Sequence, residues 1–157
     1  MTVEVREIDD RVDVEAVARL RWRWVAESRD PGQDTDTFVS GFVGWWLEQP
    51  SIIGAIALDT DAAEDDAVVG MAFLMVVNRV PAPPELDRTS GDVQSVYVVP
   101  DSRGHGVGTR LLELLVDRAR ERGCIRITVH SSSRALPYYE RLGFQHNPRV
   151  LAHPLSP

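Results

Sequence analysis

The stretch DSRGHGVG, Asp101 to Gly108, decides how this chain is read because of what flanks it. VQSVYVVP precedes it, apolar and β-branched like a strand. TRLLELLVDRARERG follows, with apolar residues at helical spacing. A glycine-rich turn at a helix start offers backbone N–H groups where the helix dipole favours an anion, so it reads as a phosphate cradle. The plainer alternative is a tight strand–helix connection eased by glycine.

Spacing excludes two common phosphate sites. Gly104, Gly106 and Gly108 give G-x-G-x-G, not the G-x-G-x-x-G of dinucleotide folds. The acidic residue expected about 20 positions on is also missing, since Gly123 to Thr128 carries no carboxylate. The G-K-[ST] of a Walker loop is absent. A metal-free cradle for a pyrophosphate fits better, with backbone N–H groups from Arg103, Gly104, Gly106 and Gly108 and with His105 and Val107 between them, while the plain strand–helix connection stays open.

With 157 residues, 43% of them hydrophobic and 26% charged, the chain reads as one domain, residues 1–157, with a sizeable core. All 17 basic residues are arginine, a compositional bias, and the net charge of -7 argues against a nucleic-acid partner. Runs such as VVGMAFLMVV are too short to span a membrane and read as buried strands. Neither a membrane partner nor a signal peptide is expected. Cys124 is the single cysteine, which excludes disulfides and thiolate metal clusters and makes a reducing, cytoplasmic setting the default. Four scattered histidines make no metal site.

Periodicity predicts a strand over VEVREI and a helix over Val12–Glu27. A second helix covers TFVSGFVGWWLEQ, with Asp34 and Asp36 as candidate caps and Pro50 as its stop. Strands follow at SIIGAIAL and VVGMAFLMVV, joined by an acidic hairpin loop, DTDAAEDD. NRVPAPPELDRTSG reads as a long functional loop. DVQSVYVV is a fourth strand, Gly106–Arg122 a strong helix and CIRITVH a fifth strand. SSSRALPYYERLGF contains a short helix, and VLAHPL is expected as a last edge strand. The class is α/β, a mixed central sheet flanked by helices.

The segment VYVVPDSRGHGVGTRLL resembles the acetyl-coenzyme A signature of the GCN5-related N-acetyltransferase family. That signature is a strand ending in valine–x–proline, then Arg/Gln-x-x-Gly-x-Gly/Ala. ALPYYERLGF is similar to a second family element, A-x-x-F/Y-Y-E-x-L-G-F, and the element order also matches. The resemblance implies the family's acyltransferase fold over about residues 3 to 154, with acetyl-CoA as cofactor. Its pantetheine arm would lie along the fourth strand at Val98 and Val99, where the fourth and fifth strands splay apart. Backbone donors near Val98 would polarise the thioester carbonyl. The pyrophosphate would rest on Arg103–Gly108, with Thr109 adding a hydroxyl or making a local cap.

Direct acetyl transfer needs a neutral amine, a polarised carbonyl and a proton for the departing thiolate; it needs no covalent intermediate, and Cys124 reads as core. By resemblance Tyr139 is the proton donor, a role suited to a phenol that is uncharged at neutral pH. Its alternative is packing, the role read for Tyr138. Leu142, Gly143 and Phe144 read as core closure and a helix C-cap. The family's fourth-strand glutamate is missing from GDVQSVYVV. Asp92 lies at the strand's beginning, Gln94 and Ser95 could at best hold a water there, and His130 could relay a proton. Ser132 falls where the family often has asparagine, against the cofactor or as a cap.

In the resembling family the first two helices shape the acceptor site. Aromatic and acidic residues there, Glu27, Asp34 and Asp36 among them, suit a cationic amine, whereas Trp24 and Trp46 fit core faces. The implied activity is acetyl transfer to a small-molecule amine. Two alternatives stay open: acetylation of a protein or peptide, and a catalytically weak acyl-CoA-binding regulatory protein. The resemblance also allows a homodimer, with no interface legible.

Overall fold

Alternating apolar residues build a five-stranded sheet in the computed structural model, which describes residues 1–63 and 67–155. The elements run β1 (Val3–Glu7), α1 (Arg11–Ala26), α2 (Thr35–Leu47), β2 (Ile52–Asp59), β3 (Val68–Asn78), β4 (Thr89–Val98), α3 (Val107–Glu121), β5 (Cys124–Val129) and α4 (Leu136–Arg141). Strand order is β1-β2-β3-β4-β5, antiparallel except for the β4–β5 pair. A parallel pair needs a crossover, and α3 supplies it.

Side-chain alternation sends the two faces of the sheet into two cores. On one face Ile53, Ala55, Leu74 and Val93 pack against Leu111, Leu112 and Leu115 of α3. On the other, Ile56, Met71, Phe73 and Tyr97 meet Val14, Val17 and Leu20 of α1 and Val43 of α2. Burying each leucine of α3 contributes about 1.5–3 kcal/mol, enough to hold a helix that would be marginal alone.

Asp10 caps α1, accepting from Asp13 N at 2.8 Å. Asp13 is itself buried and holds Arg6 through two hydrogen bonds, one of 2.8 Å between Arg6 Nη2 and Asp13 Oδ1. This ion pair fixes the end of β1 to the first turn of α1.

Two expectations fail. The last edge strand over VLAHPL does not form: no residue from Val150 to Leu155 lies in a strand, and Leu151 is 91% exposed. Pro148 just before the segment and Pro154 within it remove backbone donors, and its apolar side chains meet no sheet face. The long loop is also shorter than expected, because Asn78 belongs to β3 and Thr89–Gly91 to β4. In the acidic hairpin loop Asp59 ends β2, while Glu64, Asp65 and Asp66 lie outside the described residues.

Candidate active site

The site begins with an extra residue in β4. Met71 faces Tyr97 and Phe73 faces Gln94, so β4 spends one more residue than β3 over the same span. Ser95 takes up the surplus with φ 57°, the left-handed region that few non-glycine residues enter. The bulge reverses the strand's parity. Val93 packs on the α3 side, whereas Tyr97, four residues on, packs on the α1–α2 side.

At the same place β4 loses its other neighbour. Pairing with β5 ends at Val93–Val129, so among the described residues no strand pairs with Gln94 to Val98 on that side. The family resemblance implied an opening between the fourth and fifth strands, and Val98 lies on this unpaired stretch.

Past Val99, a single 3-10 turn over Pro100–Ser102 leads into the glycine turn. Gly104 and Gly106 have φ of 78° and 74°, and Gly106 is the N-cap of α3. A Cβ at either would meet no atom within 4 Å, so backbone conformation, not crowding, calls for glycine there. Arg103, Gly104, His105 and Gly106 are exposed, Val107 is buried in the core, and Gly108 and Thr109 are half-buried. Arg103 Nε donates to Val98 O at 2.8 Å, and its guanidinium lies 5.7 Å from the Tyr97 ring centroid.

Gly108 is constrained differently. A Cβ there would lie 3.0 Å from the Tyr138 hydroxyl and 3.7 Å from Val98 Cγ2. Tyr138 therefore stands where β4 ends and α3 begins. Among the described residues no partner meets its buried hydroxyl in hydrogen-bonding geometry; burial pushes its pKa up to about 12, and the nearby Thr109 hydroxyl opposes that rise. Sequence reasoning gave this residue only a packing role. The available signal was the pair itself: neighbours on a helix point about 100° apart, so Tyr138 and Tyr139 cannot serve one face.

Tyr139 is 9% exposed, packed edge-on against Phe144 with centroids 5.5 Å apart, and burial raises its pKa. Gly143, at φ 89°, and the Phe144 N to Tyr139 O bond of 3.1 Å close α4 as a C-cap. Ser132 is exposed and makes no side-chain cap; its carbonyl accepts from Ala135 N at 3.0 Å. His130 is exposed immediately past Val129, at the foot of the opening. Gln94 Nε2 donates to Asp92 Oδ2 at 2.8 Å.

The three carboxylates expected at the acceptor site do not converge. Asp34 caps α2, accepting from Thr37 N at 2.9 Å and Thr37 Oγ1 at 2.7 Å, bonds that hold its pKa below the ordinary carboxylate value. Asp36 is exposed and pairs with Arg19 at 3.2 Å. Glu27 accepts from the Tyr97 hydroxyl, whose pKa is pushed up to about 12 by burial and then by Glu27. Trp24 stacks on Tyr97 with centroids 5.0 Å apart, and Trp46 packs against the core, as their helical positions predict.

None of the three acids lines the cavity between α1, α2 and strands β2 to β4. That cavity, of about 240 Å³, is walled by Phe38, Phe42, Trp45, Ile52, Phe73 and Met75. Its polar end is made by Arg21, Gln94 and Ser95. Arg21 was missed in the sequence, although its place four residues after Val17 puts it on the apolar face of α1.

A mixed sheet opened at its fourth strand, above a glycine turn at a helix N-terminus, defines an acyltransferase fold. Residues 14–144 match the Acetyltransferase (GNAT) family, and the chain belongs to it. Over 84 residues it is 37% identical to glucosamine 6-phosphate N-acetyltransferase of Trypanosoma brucei brucei, a match spanning 54% of this chain and 55% of the relative. The chain thus spans about half the length of that curated relative, and less of others. The crystal structure of a Trypanosoma brucei acetyltransferase superposes with a TM-score of 0.75 at 23% identity, over 98% of this chain and 100% of that one. A predicted acetyltransferase of Clostridium acetobutylicum, solved with acetyl-CoA, gives 0.72 at 24% identity, over 98% and 97%. Among the described residues no helix is long and apolar enough to cross a membrane.

Proposed function

We propose that residues 1–157 form one acetyl-CoA-dependent N-acetyltransferase domain acting on the primary amine of a small molecule. The observation that carries this reading is the junction of β4 and α3. There, an unpaired strand edge and two left-handed glycines stand beside a buried Tyr138 hydroxyl that has no partner in hydrogen-bonding geometry among the described residues. These residues fit coenzyme A. The turn Arg103–Gly108 and Thr109 would hold its pyrophosphate, and Val98 and Val99 its pantetheine arm. Tyr138 would donate the hydrogen bond its buried hydroxyl lacks. Acetyl-CoA would supply the activated acetyl group, as the Clostridium protein's bound acetyl-CoA suggests.

The chain's own groups would position the reactants and move protons. The acceptor amine attacks the thioester carbonyl and the C–S bond breaks. Tyr139 donates a proton to the sulfur; at neutral pH its raised pKa keeps the phenol protonated for that step. No glutamate stands on β4, so the amine's proton leaves through water held near Asp92 and Gln94, with His130 as its outlet. The cavity beside the bulge is short and aromatic, which favours a small acceptor over a polypeptide. A relative that acetylates glucosamine 6-phosphate supports the small-molecule class. The unpaired Cys124 accords with a cytoplasmic setting.

A coenzyme A-release screen over amines and peptides tests the reading. Release with small amines is expected; acetyl-CoA binding without release across the whole panel would favour a regulatory acyl-CoA-binding protein. Tyr139→Phe is expected to lower kcat about 10²-fold or more while barely changing acetyl-CoA affinity. An unchanged rate across the pH range would remove Tyr139 from the chemistry.

A further inference from the structure

Among the described residues Arg21 is a cation without a counter-ion. It lies on the buried face of α1, its Nη1 donates to Ser95 Oγ on the β4 bulge, and its guanidinium lies 5.9 Å from the Trp24 ring centroid. Among the described residues it joins no salt bridge, whereas Arg6, Arg11, Arg19, Arg118 and Arg120 all do. Burial holds its pKa below the ordinary value, with no acid offsetting that effect. Arginine remains charged even so. A guanidinium offers five donors, and Ser95 uses one of them.

The surroundings restrict what could answer that charge. Among the described residues Arg21 is the one charged residue lining the cavity; Gln94 and Ser95 complete its polar end, and six apolar or aromatic side chains form the rest of its wall. A polyhydroxylated sugar would leave most of its hydroxyls facing Phe42, Trp45 and Phe73, an unfavourable burial of polar groups. A dianionic phosphate would find a single cation. A carboxylate matches the planar fork of one guanidinium, and an aryl or alkyl body matches the wall. Ser95, which Arg21 holds, lies two residues past Val93, where β4 and β5 cease to pair. An anion on Arg21 therefore sits beside the opening into which an acceptor amine must point.

We infer that the acceptor is an apolar amino acid or close analogue, with its carboxylate bound by Arg21, its side chain in the aromatic cavity and its amine directed into the β4–β5 opening. This rests on the acetyltransferase reading and narrows its substrate. It replaces the acidic site for a cationic amine that composition suggested with a cationic site for an anionic one.

The test pairs each acceptor with its decarboxylated twin: phenylalanine with phenethylamine, methionine with 3-(methylthio)propylamine. β-Phenylalanine, glucosamine 6-phosphate and spermidine complete the panel. The carboxylated member of a pair should have a kcat/KM higher by about 10- to 150-fold, the range of a charge-assisted hydrogen-bond pair. Arg21→Gln should bring that ratio to within about threefold of unity, chiefly through KM. Arg120→Gln, a remote surface change of equal charge, should leave it unaltered.

Calorimetry with coenzyme A present reads the same preference without turnover, by comparing N-acetylphenylalanine with N-acetylphenethylamine. Turnover that favours decarboxylated amines, spermidine or glucosamine 6-phosphate overturns the inference and leaves the acetyltransferase reading standing. Carboxylate-selective, Arg21-dependent binding with no turnover supports the anion site and overturns that reading. Neither binding selectivity nor turnover overturns both.

Discussion

Replacing Tyr138 with phenylalanine should make the free protein more stable and its grip on acetyl-CoA weaker. The hydroxyl is buried with no partner in hydrogen-bonding geometry among the described residues, and such a group costs about 1–3 kcal/mol in desolvation. Its removal should raise stability by about 1 kcal/mol, or about 2–4 °C in Tm for a chain of this size. Gly108 provides an internal check. A Cβ there meets the Tyr138 hydroxyl at 3.0 Å, but the next atom of that ring, Cζ, lies at 3.7 Å, an ordinary contact. Gly108→Ala alone therefore sets overpacking of about 1–3 kcal/mol against a helix-propensity gain of about 0.5–1 kcal/mol. In the Tyr138→Phe background the crowding goes and the gain remains. The two changes should couple by about 1–2 kcal/mol.

Urea denaturation of the wild type, both single variants and the double variant measures this cycle. Isothermal titration with acetyl-CoA should meanwhile show affinity falling about two- to tenfold in Tyr138→Phe, the worth of one hydrogen bond. A Tyr138→Phe protein less stable than wild type, or additive effects of the two changes, would refute the reasoning about the hydroxyl. Unchanged acetyl-CoA affinity would refute its proposed use.

Other expectations follow from individual contacts. Asp13→Ala should cost about 2–3 kcal/mol: breaking a buried pair costs about 3–5 kcal/mol, but Arg6, 33% exposed, can recover water. The pH dependence has a definite sign. Burial pushes the Asp13 carboxyl up, but Arg6 and nearby donors outweigh it and leave the folded-state pKa below the ordinary value. Its stabilisation is therefore complete above the unfolded pKa of about 3.9 and is lost as pH falls through the lower folded value. Thermal melts of Asp13→Asn below about pH 4 should show a shallower acid limb than wild type. Gly106→Ala forces φ 74° on a residue with a Cβ and should cost about 1–2 kcal/mol, read from its melting temperature. Leu111→Ala, fully buried on the sheet-facing side of α3, should cost about 2–5 kcal/mol in urea denaturation, and a near-neutral result would contradict the packing described.

The framework was legible where local pattern and tertiary burial agree. Leu111, Leu112 and Leu115 recur at the spacing of a helix face, and all three are buried. Asp34 was one of two caps for α2, and the structure chooses it because its carboxylate reaches Thr37 N. The bulge was not legible, since VQSVYVV continues as a strand and nothing local marks Ser95 for a left-handed conformation. Without it the face of Tyr97 is not legible either, since that face depends on strand parity. The expected acidic acceptor site failed for a related reason. Composition shows which charges lie on a segment, but caps, surface pairs and tyrosine contacts decide whether they remain available. Arg21 was overlooked because RLRWRW reads as an apolar face interrupted by solvated arginines, and only the fold shows which arginine turns inward.

The bond from Arg103 Nε to Val98 O means that the turn and the strand end already satisfy each other in the free chain. A ligand amide that hydrogen-bonds to this carbonyl would compete with the arginine for it. Binding there becomes an exchange, with its net worth set by the difference between two bonds. Truncating Arg103 would consequently do two opposite things, weakening the hold on a phosphate while freeing an acceptor on the strand. A modest loss of affinity in such a variant would understate the arginine's direct contribution, because the vacated carbonyl would return part of what the side chain had supplied.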